Sequence, residues 1–99
     1  MQGKAIRNVF ISNRTIGANI VSQDLIFETI VRHTREVLPG LDGYVFKPTD
    51  SLRELGANSI DRADIIMMTL ESLSLDFPLI EVAKAQSIGD LAGIIHAKI

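Results

Sequence analysis

The stretch Leu55-Gly56-Ala57-Asn58-Ser59-Ile60-Asp61-Arg62-Ala63-Asp64-Ile65-Ile66-Met67-Met68-Thr69-Leu70 decides the fold. Small and polar residues give way abruptly to an aliphatic run, as where a loop enters a helix. Asn58 suits the N-cap, because its side-chain oxygen can accept from a free first-turn N–H. Asp61 stands three residues on, where a carboxylate favours the positive end of the helix dipole. A helix from about Ser59 to Leu73 follows. Its apolar set (Ile60, Ala63, Ile65, Ile66, Met67, Met68, Leu70 and Leu73) is wider than one stripe. One face must enter a core, and the surplus is either deeply buried or an exposed contact patch. With Asn58 as the cap, Ser59 occupies the first helical position and its hydroxyl points outward, free of capping. The field there favours an anion, so Ser59 either suits a phosphate ester or is an ordinary polar first-turn residue.

Upstream, Ser22 is a second N-cap candidate, with Asp24 and Glu28 near the start of a helix over about 23–37. Leu25, Ile26, Ile30, His33 and Val37 recur near helical spacing, and Pro39-Gly40 stops the run. Residues 39–58 form a long loop, broken by Pro39, Gly40, Gly43, Pro48 and Gly56. Leu41, Tyr44, Val45, Phe46, Leu52 and Leu55 make it too apolar for a loose linker, so it is expected to pin these side chains against the helices. Downstream of Pro78 a short helix is expected over Leu79–Lys84, with Ile80 and Ala83 three apart, brief enough to be a connector turn. Ser87 caps a last helix over about 88–98, where Ile88, Leu91, Ala92, Ile95 and Ile99 keep one face and Asp90 supplies the first-turn carboxylate. Residues 22–99 contain no strand-period segment of useful length. The expected fold is all-α: a small up-down bundle of three longer helices plus one short helix, with a long structured loop between the first two. Residues 1–21 show neither period and are expected to be a poorly ordered leader to a single domain over 22–99.

The chain has 99 residues, 46% of them hydrophobic and 5% aromatic, with no Trp. Aliphatic and Met side chains must therefore fill the core. Zero Cys excludes disulfides, thiolate zinc sites and thiol chemistry by the chain itself. The formal net charge of −2 argues against a nucleic-acid partner. No apolar run is long enough to span a bilayer, and no signal peptide is evident, so a cytoplasmic protein without a membrane partner is expected. Charge is uneven. Residues 1–41 hold five bases against three acids, and residues 42–90 hold nine acids against four bases. The acidic part either steers basic partners or is an ordinary solvated surface.

Catalytic chemistry is poorly supported. His33 and His96 lie on different helices without metal-binding spacing, and His33 falls near the apolar side, as a packed or partly exposed residue would. A nucleophile elbow needs glycines on both sides of its serine, yet Ile60 and Asp61 follow Ser59. No metal site and no catalytic residue is expected.

Leu52-Arg53-Glu54-Leu55-Gly56-Ala57-Asn58-Ser59-Ile60-Asp61 resembles the acyl carrier protein signature L-x-x-L-G-x-D-S-L-D. The resemblance continues through Asp64-Ile65-Ile66-Met67, the Pro78 region and Ser87-Ile88-Gly89-Asp90-Leu91, where many carriers have T-[IV]-x-D-L. It covers residues 22–99. The resemblance implies a carrier, not an enzyme, with 4′-phosphopantetheine attached covalently at Ser59 by a phosphopantetheinyl transferase using coenzyme A and Mg²⁺. The arm's terminal thiol would carry an acyl group as a thioester. One position departs from the signature: Asn58 stands where the family usually has Asp, keeping the cap acceptor but losing a charge.

Gly56-Ala57-Asn58-Ser59-Ile60-Asp61-Arg62 is similar to the discrete carriers of bacterial polyketide clusters, a setting of antibiotic biosynthesis. It most resembles donor carriers of β-branching cassettes built around an HMG-CoA-synthase-like enzyme. Such a carrier would present an acetyl group formed by decarboxylating a malonyl group. The implied partners are an acyltransferase, a ketosynthase-like decarboxylase and the HMG-CoA-synthase-like enzyme, with the carrier itself a monomer. Many acceptor carriers have a Trp on the helix after the serine, and this chain has none. Fatty-acid carriers, peptidyl carriers and non-carrier helical interaction domains are the alternatives, and Arg62 departs from the most acidic fatty-acid carriers. By resemblance Ile60, Asp61, Ala63, Asp64, Met67 and Glu71 form a partner-facing stripe, and helical spacing agrees. Ile65, Ile66, Thr69, Leu70 and Leu73 then face the core. The alternative for Met67 is a core gap-filler.

Overall fold

The computed structural model describes residues 21–99. Three α-helices are present: α1 (Gln23–Val37), α2 (Ser59–Ser72) and α3 (Ile88–Ala97). Two 3₁₀ turns, Pro39–Leu41 and Leu79–Val82, punctuate the connections. No strand occurs among the described residues. The leader expected over 1–21 lies outside the described residues except for Val21, which packs partly buried against the core.

Each helix begins where a side chain satisfies a first-turn N–H that the helix cannot satisfy itself. Ser22 Oγ accepts from Leu25 N–H at 3.1 Å and Ser87 Oγ from Asp90 N–H at 3.0 Å. Asn58 and Asp61 form a reciprocal capping box at the head of α2. That helix closes in a Schellman arrangement, with Ser74 N–H donating to Glu71 C=O and Leu75 N–H to Leu70 C=O.

α1 is the hub. It packs closely against both α2 and α3, whose backbones stay farther from each other, and the Leu79–Val82 turn touches both. Ile26 and Ile30 of α1, Ile65 of α2, and Ile88 and Ile95 of α3 are wholly buried. Their burial against one another is the main favourable term holding three short helices together. The buried hydroxyls of Thr34 and Thr69 donate to carbonyls one turn back, on Ile30 and Ile65, so neither is an orphan. His33 is buried too. Its Nε2 lies 2.7 Å from Ser72 Oγ and its Nδ1 2.8 Å from Glu36, joining α1 to the end of α2.

Two sequence expectations differ in detail from the structure. Within the segment expected as a short helix, Leu79–Lys84, the chain makes one 3₁₀ turn over Leu79–Val82. Three residues per turn place Leu79 and Val82 on one side, so these are the packed pair, whereas Ile80 is 77% exposed and Ala83 also faces solvent. In the long loop, Leu41, Tyr44, Leu55, Phe46 and Leu52 do pack inward, but Val45 is 78% exposed. Side chains alternate along the extended segment, so with Tyr44 and Phe46 inward, Val45 must point out.

The loop is fastened to α3. Ile88 N–H donates to Asp50 C=O and Gly89 N–H to Pro48 C=O, both at 2.8 Å. A Cβ on Gly89 would lie 2.9 Å from that Pro48 oxygen, so only glycine allows the approach. The Asp50 carboxylate accepts from Lys47 N–H at 2.8 Å and from the Tyr44 hydroxyl at 3.0 Å. The Lys47 N–H, helped by Tyr44 and the Lys47 ammonium, holds this carboxyl below the usual carboxylate range.

Candidate functional site

A tight turn delivers Ser59 to the head of α2. Leu55 N–H, Gly56 N–H and Ala57 N–H donate back to Ser51, Arg53 and Leu52 carbonyls. Gly56 has φ +109°, a region that side-chain-bearing residues avoid. Buried Leu52 and Ala57 anchor the turn in the core on either side. Arg62 reaches back from α2, and its guanidinium donates to Ala57 C=O at 2.8 Å. That clasp has no sequence signature, because a backbone carbonyl can accept from any residue type. The Gly89–Pro48 approach is silent in the sequence for the same reason.

The capping box then sets the serine. Asp61 N–H donates to Asn58 Oδ1 at 2.7 Å, and Asn58 N–H donates to Asp61 Oδ2 at 3.1 Å. Asp61 thus has a structural task and is only partly exposed. Ser59 takes no part in the cap and stands exposed at the first helical position. Beside it runs a groove of about 380 Å³, between α2 and residues 79–87. Ile66, Leu79, Val82 and Leu91 give it an aliphatic lining, and Arg53, Arg62 and Gln86 line it with polar groups.

Along α2, Ile60 is 71% and Met67 53% exposed, and Asp64 and Glu71 are exposed as well. Ala63, like Asp61, is intermediate. On the opposite side Ile65, Thr69 and Leu70 are buried, with Ile66 and Leu73 partly so. Met67 is therefore a surface residue and does not fill the core. His33 and His96 are apart, one buried on α1 and the other exposed at the end of α3. Among the described residues no three His, Asp or Glu converge as metal ligands, and no helix is long and apolar enough to cross a membrane.

The family model for the phosphopantetheine attachment site matches residues 28–95. The chain belongs to that carrier family. Over 74 residues the carrier is 51% identical to the polyketide biosynthesis acyl-carrier protein AcpK of Bacillus subtilis (strain 168), an alignment covering 75% of this chain and 90% of AcpK. It also matches, with a TM-score of 0.76 and 45% identity, a chain from the crystal structure of the curacin biosynthetic pathway HMG synthase in complex with acetyl donor-ACP. That match spans 78% of this carrier and 99% of the other chain. As a family member the carrier bears covalently attached 4′-phosphopantetheine and is acted on by partner enzymes; it is not itself a catalyst. The site fits such a group: an exposed primary hydroxyl, uncommitted to the cap, opens beside a groove that no Asp or Glu lines.

Proposed function

We propose that Ser59 is the phosphopantetheine tether and that the carrier serves polyketide biosynthesis as an acetyl donor to an HMG-CoA-synthase-like enzyme in β-branching. The observation that carries the first part is the Ser59 hydroxyl, exposed at the first position of α2 while Asn58 and Asp61 meet the capping demand. The attached arm would end in a thiol able to hold an acyl group as a thioester, so a chain without cysteine can serve thiol chemistry. The donor role is supported by likeness to AcpK and to the chain seen with the curacin HMG synthase.

The protein's own part is positional. The clasped turn and the capping box hold the serine at a fixed place on a rigid helix, accessible to a phosphopantetheinyl transferase. Ile60, Asp64, Met67 and Glu71 offer partner enzymes an apolar and acidic stripe leading away from Ser59, with Asp61 and Ala63 along its edge. The same stripe would serve the acyltransferase and the ketosynthase-like decarboxylase in turn. The Leu79–Val82 turn stands in for the short fourth helix, closing a four-element bundle over residues 22–99. We read the carrier as a cytoplasmic monomer.

Incubation with coenzyme A, Mg²⁺ and a broad-specificity transferase, followed by intact-mass spectrometry, tests the tether. The wild-type chain should gain one phosphopantetheine unit and Ser59→Ala none. A mass gain by Ser59→Ala would assign the tether elsewhere. For the donor role, the acetyl-loaded chain should supply an HMG-CoA-synthase-like enzyme, and the acetyl-loaded carrier of fatty-acid synthesis should not; equal rates would discard it.

A further inference from the structure

The groove beside Ser59 has the opposite charge character from the part of the chain that builds it. Residues 42–90 hold nine acids and four bases. None of those acids lines the groove, whereas two of the four bases, Arg53 and Arg62, do. Neither guanidinium forms an ion pair with a carboxylate among the described residues, where the ion pairs are His33–Glu36 and Lys98–Glu81. Arg62 commits one terminal nitrogen to Ala57 C=O, and Arg53 is exposed. An acidic protein that gathers two unneutralised arginines on one small groove makes a local field for an anion. The planar guanidinium fork matches phosphate and carboxylate oxygens in particular.

We propose that Arg53 and Arg62 hold an anion borne by the arm at Ser59 against this groove: either its phosphodiester or the terminal carboxylate of a short dicarboxylic acyl group. This inference rests on the assignment of Ser59 as the tether. The aliphatic lining from Ile66, Leu79 and Val82 covers methylene groups while the two arginines fix the charge. Arg62 therefore has two tasks, clasping the turn through one nitrogen and facing the groove with the rest of its fork.

Amide chemical shifts of residues 53, 59–66 and 82–87 test this in four forms: unmodified, arm attached, acetyl-loaded and malonyl-loaded. Each is recorded at low and high salt, in wild type, Arg53→Gln and Arg62→Gln. A shift change that appears on attachment, fades with salt and shrinks in the variants identifies the phosphodiester. One that appears with malonyl but not acetyl, and shrinks likewise, identifies the carboxylate. Shifts that match between wild type and both variants in every form overturn the proposal. Arg53→Gln breaks no hydrogen bond of the described fold, so it keeps the test valid should Arg62→Gln loosen the turn. Mass spectrometry first separates failure of the tether assignment. If the wild-type chain gains no arm, free 4′-phosphopantetheine and free malonate are titrated into the unmodified chain. Binding weakened roughly twofold to fivefold per arginine removed, as for an exposed ion pair, supports the groove, and unchanged or undetectable binding of both overturns it.

Discussion

Ser74 carries the clearest local strain in the described chain, with φ at 56° in the left-handed region. It stands just past the α2 C-cap, where a Schellman closure most often uses glycine. A serine pays for its Cβ there, so Ser74→Gly should stabilise the fold by about 0.5–1 kcal/mol after allowing for the extra backbone freedom of glycine when unfolded. Thermal melting would show this as a rise of several degrees, and an unchanged or lower midpoint would mean that the closure is not strained. Gly89 presents the reverse case, since a methyl group there would press on the Pro48 carbonyl at 2.9 Å. Gly89→Ala should cost about 1–3 kcal/mol by overpacking despite alanine's better helix propensity. At the head of α2, Asn58→Ala should cost about 1 kcal/mol through loss of the cap. Asn58→Asp keeps an acceptor and should leave the melt nearly unchanged while altering the rate of modification at Ser59. Equal melts for the Ala and Asp variants would show that the cap contributes nothing.

At the scale of elements, α2 divides its two faces cleanly between burial and display. Ile65, Thr69 and Leu70 hold it to α1, while Ile60, Asp64, Met67 and Glu71 remain outside. Reversing the charge at Asp64 and Glu71 together should slow transfer with a partner enzyme and leave thermal stability within about 0.5 kcal/mol, as expected for exposed positions. Unchanged transfer rates would show that partners dock elsewhere. Asp61 is a poorer choice for such a test, because its carboxylate also closes the capping box. Helix starts were legible in the sequence because a cap is made by residues three apart, so Ser22, Asn58 and Ser87 announce themselves. The packed side of the Leu79–Val82 turn was not. Helical spacing favoured Ile80 and Ala83, but the surfaces of α2 and α3 that accept Leu79 and Val82 come from residues distant along the chain. Ser59 was legible from its neighbours, whereas the groove beside it required the fold, because its lining residues Arg53 and Gln86 are distant along the chain.

Across the whole molecule, the backbones of α2 and α3 stay apart, and three segments of the chain bridge them. α1 is one link and the Leu79–Val82 turn another. The long loop is the third: it leaves α1, fastens to the head of α3 at Pro48 and Asp50, and continues into the turn that carries Ser59. Asp50 is central to this third link, with its carbonyl on Ile88 and its carboxylate on Lys47 N–H and Tyr44. The two side-chain bonds are strongest to the ionised carboxylate, whose folded-state pKa lies below the ordinary value. The stability that it contributes is therefore fully present above the unfolded carboxylate range and is lost as pH falls through the lower, folded value. Wild-type stability should accordingly fall more steeply between about pH 5 and about pH 3 than that of Asp50→Asn, which lacks this titration. Urea unfolding at the two pH values measures the difference. In Asp50→Asn at neutral pH, the amides of Ile88 and Gly89 should also exchange with solvent faster, while those buried in the middle of α1 keep their protection. Parallel acid dependence in the two proteins, with unchanged exchange at Ile88 and Gly89, would mean that the loop is held by the packing of Phe46 and Leu52 alone.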